Sequence, residues 1–273
     1  MNLATFAIAQ VLRVVPRTRV SHAVGRLCDL RVPGPLNRFA TRLYVRAYGV
    51  DLTECEAAAA YANFNEFFTR RLKPGARPIA NSRVVSPADG KLESLGPVEG
   101  NGRIMVKGRP YQVGELIGDV ADARRYAGGS FAVVYLSPRD YHRVHSPVDG
   151  RLSLVRSLAG DRYPVNSIGE RHVPDLFVRN QRVALAIDTE DMGRVTVVMV
   201  GAIIAGRITV TALGGDDTLP GVYPIEGDRA KVARGDEIGI FYLGSTAVLL
   251  VEPNVTLSRD LGPIQYGQAL SSD

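Results

Sequence analysis

The apolar run GIFYLGSTAVLLVE, residues 239–252, carries a Gly244–Ser245–Thr246 step in its middle. A serine that follows glycine meets a carbonyl no side chain shields, and glycine tolerates the backbone strain that attack on that carbonyl demands. The hydroxyl is a weak nucleophile by itself and needs a base. Histidine occurs at only four positions, and two of them, His142 and His145, fall within YHRVHSPVDG. Aspartate occurs twice in a Ser-Pro-x-Asp-Gly segment, as Asp89 in SPADGKL and Asp149 in SPVDGRL, 60 residues apart. Ser245, one of the two histidines and Asp89 are the parts of a Ser-His-Asp arrangement. Each part also has a plainer use. A polar break in a buried strand is commonly a bulge or an edge, and an Asp-Gly pair is commonly a tight turn. On a strand, histidines three residues apart point to opposite faces, and no Cys or Glu pattern completes a ligand set, so no metal is expected. There is no Gly-x-Ser-x-Gly elbow, which argues against an α/β-hydrolase.

These residues sit in a β-rich segment. From about Val84 short β-branched runs (RIMVKG, FAVVYL, RVALAID, RVTVVMV, IGIFYLG, STAVLLVE) alternate with Gly, Asp and Pro turns. The duplicated Ser-Pro-x-Asp-Gly segments suggest a duplicated β unit with an Asp-Gly turn in each. The first 70 residues read as helix. Val20, Ala23, Val24, Leu27 and Cys28 form one helical face between Pro16 and Pro33. Leu36, Phe39, Ala40 and Leu43 form another, with Arg38, Arg42 and Arg46 beside them, Pro35 at the start and Gly49 at the end. The expected fold is α+β: a basic helical region over 1–70, then a β-rich body over 71–273, a sandwich or barrel-like pair of sheets.

Charge follows the same division. Residues 1–50 hold eight arginines against Asp29, a net of +7, so the remainder carries −2 of the overall +5. Such arginine-studded amphipathic helices either lie on an anionic membrane or form an ordinary helical subdomain with a solvated basic face. Nucleic acid is disfavoured because no binding motif accompanies the charge. Arg13 and Pro16 cut the first apolar run short of a spanning helix, and its charges follow the run instead of preceding it, unlike a secretory signal. Cys28 and Cys55 match neither a disulfide framework nor a zinc pattern, which suits a reducing, cytoplasmic compartment.

In order along the chain, FNEFFTRRLKPGARPI, SPADGKL, YLSPRDYHRVHSPVDG, LFVRNQRVALAIDTEDMGRVTVVMVGAIIAGRI and a terminal LGST resemble the phosphatidylserine decarboxylases of the bacterial and mitochondrial kind, from about Phe64 to the C-terminus. The resemblance implies a proenzyme that cuts itself between Gly244 and Ser245 into a beta chain, 1–244, and an alpha chain, 245–273, which stay together as a heterodimer. Asp89 and His145 match the family's self-cleavage acid and base. Ser245 matches its nucleophile and, after maturation, its cofactor, a pyruvoyl (pyruvate-derived) group that forms a Schiff base with the serine headgroup. His142 is expected to protonate the carbanion left by decarboxylation, with His145 as the alternative; Asp149 is expected to be structural. The expected product is phosphatidylethanolamine, and the expected location is the cytoplasmic side of the cell membrane, as a peripheral protein on anionic phosphatidylserine. No residue fixes a higher oligomeric state. A related amine-lipid decarboxylase of the archaetidylserine type stays open, because no motif reads the lipid tail. A biotinyl or lipoyl carrier would use Lys91, but Met-Lys-Met is absent and a carrier has no use for LGST.

Overall fold

Pro35 and Gly49 bound the second apolar period, and the chain between them is helical. The computed structural model describes residues 17–56, 61–165, 167–202, 207–243 and 245–271. Helix α1 spans Arg17–Asp29 and α2 spans Gly34–Tyr48. Proline in the first turn of α2 gives up an N–H that has no helical partner there. Gly49, at φ 65°, ends the helix by donating its N–H to Val45 O. A surface helix ordinarily turns its apolar stripe to the core. Here the stripe faces out: Leu27, Leu36, Phe39 and Leu43 are 64%, 56%, 65% and 60% exposed. The face turned inward is polar and aromatic. Asn37 is buried and donates through Nδ2 to Tyr61 O at 2.6 Å, and the Tyr44 ring packs on Phe64, Phe67 and Phe68. Those phenylalanines belong to the short helix α3, Phe64–Phe68, which Asn63 caps by accepting from Glu66 N–H.

The β-branched runs form the body. In chain order the strands are β1 (Gly90–Pro97), β2 (Arg103–Val106), β3 (Arg109–Gln112), β4 (Ser130–Leu136), β5 (Arg143–His145), β6 (Gly150–Leu158) and β7 (Arg182–Asp188). They continue with β8 (Arg194–Gly201), β9 (Arg207–Val210), β10 (Gly221–Pro224), β11 (Lys231–Val232), β12 (Glu237–Tyr242), β13 (Ser245–Val251) and β14 (Gly262–Ile264). A nine-stranded sheet runs β10-β6-β7-β8-β13-β4-β1-β14 with β11 also on β6; β5-β12-β9 and β2-β3 are separate sheets. Among the described residues the strands of the large sheet pair antiparallel, and no pairing closes it into a barrel.

Both faces of the large sheet are covered, which is why its middle strands are apolar throughout and do not alternate with polar residues. Along β13, Ala247, Leu249 and Val251 point to one core, shared with Val144, Ile208, Ile238 and Phe241 of the three-stranded sheet. Val248 and Leu250 point to the other, beneath Ile104, Tyr111, Leu116 and Phe177. The expectation of a β-rich body behind N-terminal helices holds.

The duplication is physical. The Ser-Pro-x-Asp-Gly segments lie side by side and bond reciprocally: Val85 N–H to Pro147 O at 3.0 Å, and His145 N–H to Pro87 O at 2.8 Å. In each, the serine hydroxyl donates to the carbonyl two residues on, Ala88 O and Val148 O. The Asp-Gly steps are not hairpin turns as expected; they lead into the long strands β1 and β6. Gly90 is required there, because a Cβ on it would stand 2.2 Å from Tyr135 O.

Candidate active site

The run GIFYLGSTAVLLVE is two strands, not one strand with a flaw. β12 ends at Tyr242 in the three-stranded sheet and β13 starts at Ser245 in the nine-stranded sheet. The chain changes sheets between them, and Leu243 takes φ 74°, a left-handed conformation costly for a γ-branched residue. Gly244 lies outside the described residues, as does the Ser245 side chain; the Ser245 backbone opens β13 opposite Leu136 on one side and Gly201 on the other.

The histidine segment runs beside the strand that enters this junction. β5 pairs with β12, His145 opposite Glu237, and the pairing reaches past β5 where Phe241 N–H bonds His142 O at 3.0 Å. The chain reaches those histidines from β4, whose last residue, Leu136, faces Ser245. A turn follows in which Asp140 Oδ2 accepts from the Ser137 N–H and hydroxyl.

His145 is 6% exposed. Its Nδ1 lies 2.7 Å from Gly235 O. A carbonyl only accepts, so Nδ1 carries the proton and Nε2 the lone pair. Nε2 is 3.1 Å from the Tyr141 hydroxyl, which therefore donates to it. The imidazole lies flat on the Tyr266 ring, centroids 3.7 Å apart at 5°. Burial pulls its pKa down to about 4, so it is a neutral base throughout the physiological range.

Asp89 is brought to the same place but does not hold the imidazole directly. Among the described residues no hydrogen bond joins it to His145, whose Nδ1 is already committed to Gly235. The Asp89 carboxylate accepts from Arg77 Nη2 at 2.7 Å, from Arg77 Nε at 3.0 Å and from Tyr266 N–H at 2.9 Å. Its link to His145 is thus through the Tyr266 backbone and ring. Burial pushes the Asp89 carboxyl above the ordinary carboxylate range, and Arg77 and the Tyr266 N–H offset only part of that rise. Arg77, itself raised by Asp89 and Glu54 against the effect of burial, keeps the pair ionised.

His142 is fully buried, its ring 4.2 Å from that of Phe68. Nδ1 donates to Asp140 O at 2.9 Å, and Nε2 has no hydrogen-bond partner among the described residues. Burial drives its pKa down to about 3, with the nearby Arg70 charge adding to the effect. Arg70 fixes the same turn, donating through Nη2 to Arg139 O and Asp140 O at 2.8 and 3.3 Å. A buried imidazole whose lone pair is unmatched among the described residues is free to take a further hydrogen-bond partner.

Arg77, Tyr141, Tyr266 and the Gly235 carbonyl escape a reading of the sequence by residue type. A backbone carbonyl leaves no residue-type signal, and Tyr266 lies 121 residues from His145. The available hint was a glycine between polar residues, ARGD and QYGQ, behind each repeat.

Comparison with known proteins agrees with the residues. The family model of phosphatidylserine decarboxylase matches residues 64–271. The chain is 41% identical over 252 residues to a phosphatidylserine decarboxylase proenzyme of Anaeromyxobacter sp. (strain K), covering 89% of this chain and 88% of that one. It is 38% identical over 284 residues to the proenzyme of the same description from Chromobacterium violaceum, covering all of both, and 40% identical over 260 residues to that of Psychrobacter arcticus, covering 94% and 92%. The chain belongs to the phosphatidylserine decarboxylase family of carboxy-lyases.

Proposed function

We propose that this protein cuts itself between Gly244 and Ser245 and then decarboxylates phosphatidylserine to phosphatidylethanolamine and CO2 at a membrane surface. The observation that carries this reading is the junction itself. Left-handed Leu243 follows the end of β12, and Ser245 opens β13 in the other sheet, while β12 runs beside the segment His142–His145, whose two buried histidines are neutral. The relatives' names, each a phosphatidylserine decarboxylase proenzyme, support both halves.

In the cleavage, His145 Nε2 takes the Ser245 hydroxyl proton, displacing the Tyr141 hydroxyl, as Oγ bonds the Gly244 carbonyl carbon. The C–N bond breaks, His145 returns the proton to the departing nitrogen, and the amide has become an ester. Loss of the residue 245 α-proton to a base then forms the Cα=Cβ double bond and breaks the Cβ–Oγ bond, leaving Gly244 as a carboxylate and residue 245 as dehydroalanine. Tautomerisation and attack by water release ammonia and leave a pyruvoyl group. Asp89 serves by holding Tyr266 against the imidazole, and the Arg77 charge keeps Asp89 anionic.

The residues fit such a group. Its backbone is anchored at the head of β13 between β8 and β4, and the orphaned Nε2 of His142 is on the neighbouring segment. A pyruvoyl carbonyl supplies the electron sink for loss of CO2. His142 must pick up a proton before it donates one, since Nε2 holds a lone pair. An anionic headgroup beside Nε2 raises its pKa toward that state.

The outward apolar stripe of α1 and α2 supports docking on an anionic bilayer. Leu27, Leu36, Phe39 and Leu43 are exposed beside exposed Arg31, Arg38, Arg42 and Arg46. That pairing of greasy and cationic side chains matches an acidic lipid surface. No described helix is long and apolar enough to cross a membrane, so the reading is of a protein that lies on the bilayer. Vesicles containing phosphatidylserine test the function. Wild-type protein is expected to release CO2 and form phosphatidylethanolamine, and Ser245→Ala to do neither; activity in Ser245→Ala would overturn the proposal.

A further inference from the structure

The two Ser-Pro-x-Asp-Gly segments each seize one loop, and the bonds correspond one for one. Ser86 N–H bonds Gln268 O at 2.8 Å and receives Gly267 N–H on its carbonyl at 3.0 Å. Ser146 N–H bonds Asp236 O at 2.7 Å and receives Gly235 N–H at 2.9 Å. Asp89 Oδ1 accepts Tyr266 N–H at 2.9 Å; Asp149 Oδ1 accepts Arg234 N–H at 2.9 Å. Inside the loops, Gln268 Oε1 accepts Gln265 N–H at 3.2 Å, and Asp236 Oδ2 accepts Ala233 N–H at 2.7 Å. The central glycines share a left-handed conformation, Gly267 at φ 81° and Gly235 at φ 92°. Residues 265–268 and 233–236 are therefore equivalent turns of a duplicated unit, and both close on one side chain. Tyr266 supplies the ring under His145, and Gly235 supplies the carbonyl on its Nδ1.

We propose that Asp149, the repeat partner of Asp89, is a positioning residue for self-cleavage: by gripping the Arg234 N–H it fixes the Gly235 carbonyl, which keeps the proton of His145 on Nδ1 and the lone pair on Nε2. This rests on the reading of His145 as the base. The tautomer matters because the same ring with its proton on Nε2 cannot accept from Ser245. The Gly235 carbonyl is the only hydrogen-bond partner of Nδ1 among the described residues, so the position of one turn decides it. A purely structural role for Asp149 is weakly supported: its side chain is 67% exposed, and its ion pair with Arg234 Nη2 is 3.5 Å long. Exposed pairs of that kind add little to stability. The Arg234 side chain has a separate anchor, donating through Nη1 to Ser82 O, so the turn does not depend on Asp149 for attachment, only for its exact pose.

The test uses the full chain carrying Ser245→Ala and ¹⁵N-labelled histidine, so that the precursor state is read without cleavage. In that background the His145 shifts are expected to report a protonated Nδ1 and bare Nε2. Adding Asp149→Ala is expected to move them toward the other tautomer or a mixture, and in the otherwise wild-type chain to slow cleavage about tenfold or more. Asp149→Asn keeps an oxygen for the Arg234 N–H and is expected to retain the tautomer and cleave within about threefold of wild type. Asp236→Ala loosens the same turn from an exposed position and is expected to shift the tautomer as Asp149→Ala does, which keeps the test open should the latter fail to fold. An unchanged His145 tautomer in both alanine variants overturns the proposal, as does an Asp149→Asn chain that melts normally yet is as slow as Asp149→Ala. A wild-type chain that never cleaves would instead remove the reading of His145 as base, and the tautomer comparison would still decide the role of Asp149.

Discussion

His142 and His145 sit three residues apart, are both buried, and are prepared for different work by what touches their Nε2 atoms. That of His145 meets the Tyr141 hydroxyl, and that of His142 has no hydrogen-bond partner among the described residues. His142→Ala is therefore expected to leave self-cleavage intact and to lower decarboxylation by about 10²–10⁴-fold, the usual worth of a general acid or base. Fragment yield on a gel and CO2 release separate the two effects, and loss of cleavage would contradict the division. Burial also ties both residues to acid stability. Their pKa values, about 3 and about 4, lie below the 6.5 of an unperturbed histidine. Between those limits the unfolded chain binds protons that the folded chain refuses. This contribution to stability is complete above pH 6.5 and declines as pH falls toward 4, each histidine adding a slope of at most about 1.4 kcal/mol per pH unit. Urea unfolding of Ser245→Ala between pH 7.5 and 5 is expected to show that decline, and a shallower one once His142→Phe is added. Equal slopes would mean that His142 is not buried neutral.

At the scale of elements, cleavage in the junction would leave β13 in the centre of the large sheet, hydrogen-bonded to β8 and β4 along its length. The fragments 1–244 and 245–273 are expected to co-elute on size exclusion and to separate only in denaturant; a free small fragment in native buffer would contradict this placement. Leu249, fully buried in β13, is expected to cost about 2–5 kcal/mol when cut to alanine, read by chemical denaturation. The strands, helices and duplication were legible because apolar periodicity and the repeated Ser-Pro-x-Asp-Gly are local signals. The sheet change at Leu243 was not. Both flanking segments are apolar, and an unbroken run carries no mark of which sheet each half joins. That Asp89 reaches His145 through Tyr266 was not legible for a related reason: residue type names the partners a side chain can take, whereas the Gly235 carbonyl that occupies Nδ1 is contributed by backbone. The helix faces were correctly drawn, yet periodicity does not say whether an apolar stripe looks at a core or away from it.

Across the whole molecule, that outward stripe joins a basic, greasy surface to a slightly acidic catalytic body. α2 is fastened to the body through Tyr44, whose hydroxyl donates to Pro138 O in the turn that leads to the histidines. The face proposed to dock is thus tied to the turn that carries the histidines. Replacing Arg38, Arg42 and Arg46 with glutamine is expected to weaken binding to anionic vesicles about 100-fold at low salt, from about 1 kcal/mol per arginine, and to flatten the salt dependence. Phe39→Asp with Leu43→Asp is expected to abolish binding without altering self-cleavage. Unchanged sedimentation with vesicles in either variant would show that the stripe does not dock. All of this depends on the junction being a processing site, and intact mass of the purified chain tests that most directly. The account predicts two species, residues 1–244 and a 29-residue fragment from 245 to 273 whose N-terminus is blocked by a pyruvoyl group, and one uncut chain for Ser245→Ala. A wild-type protein that remains a single chain of full mass would contradict it.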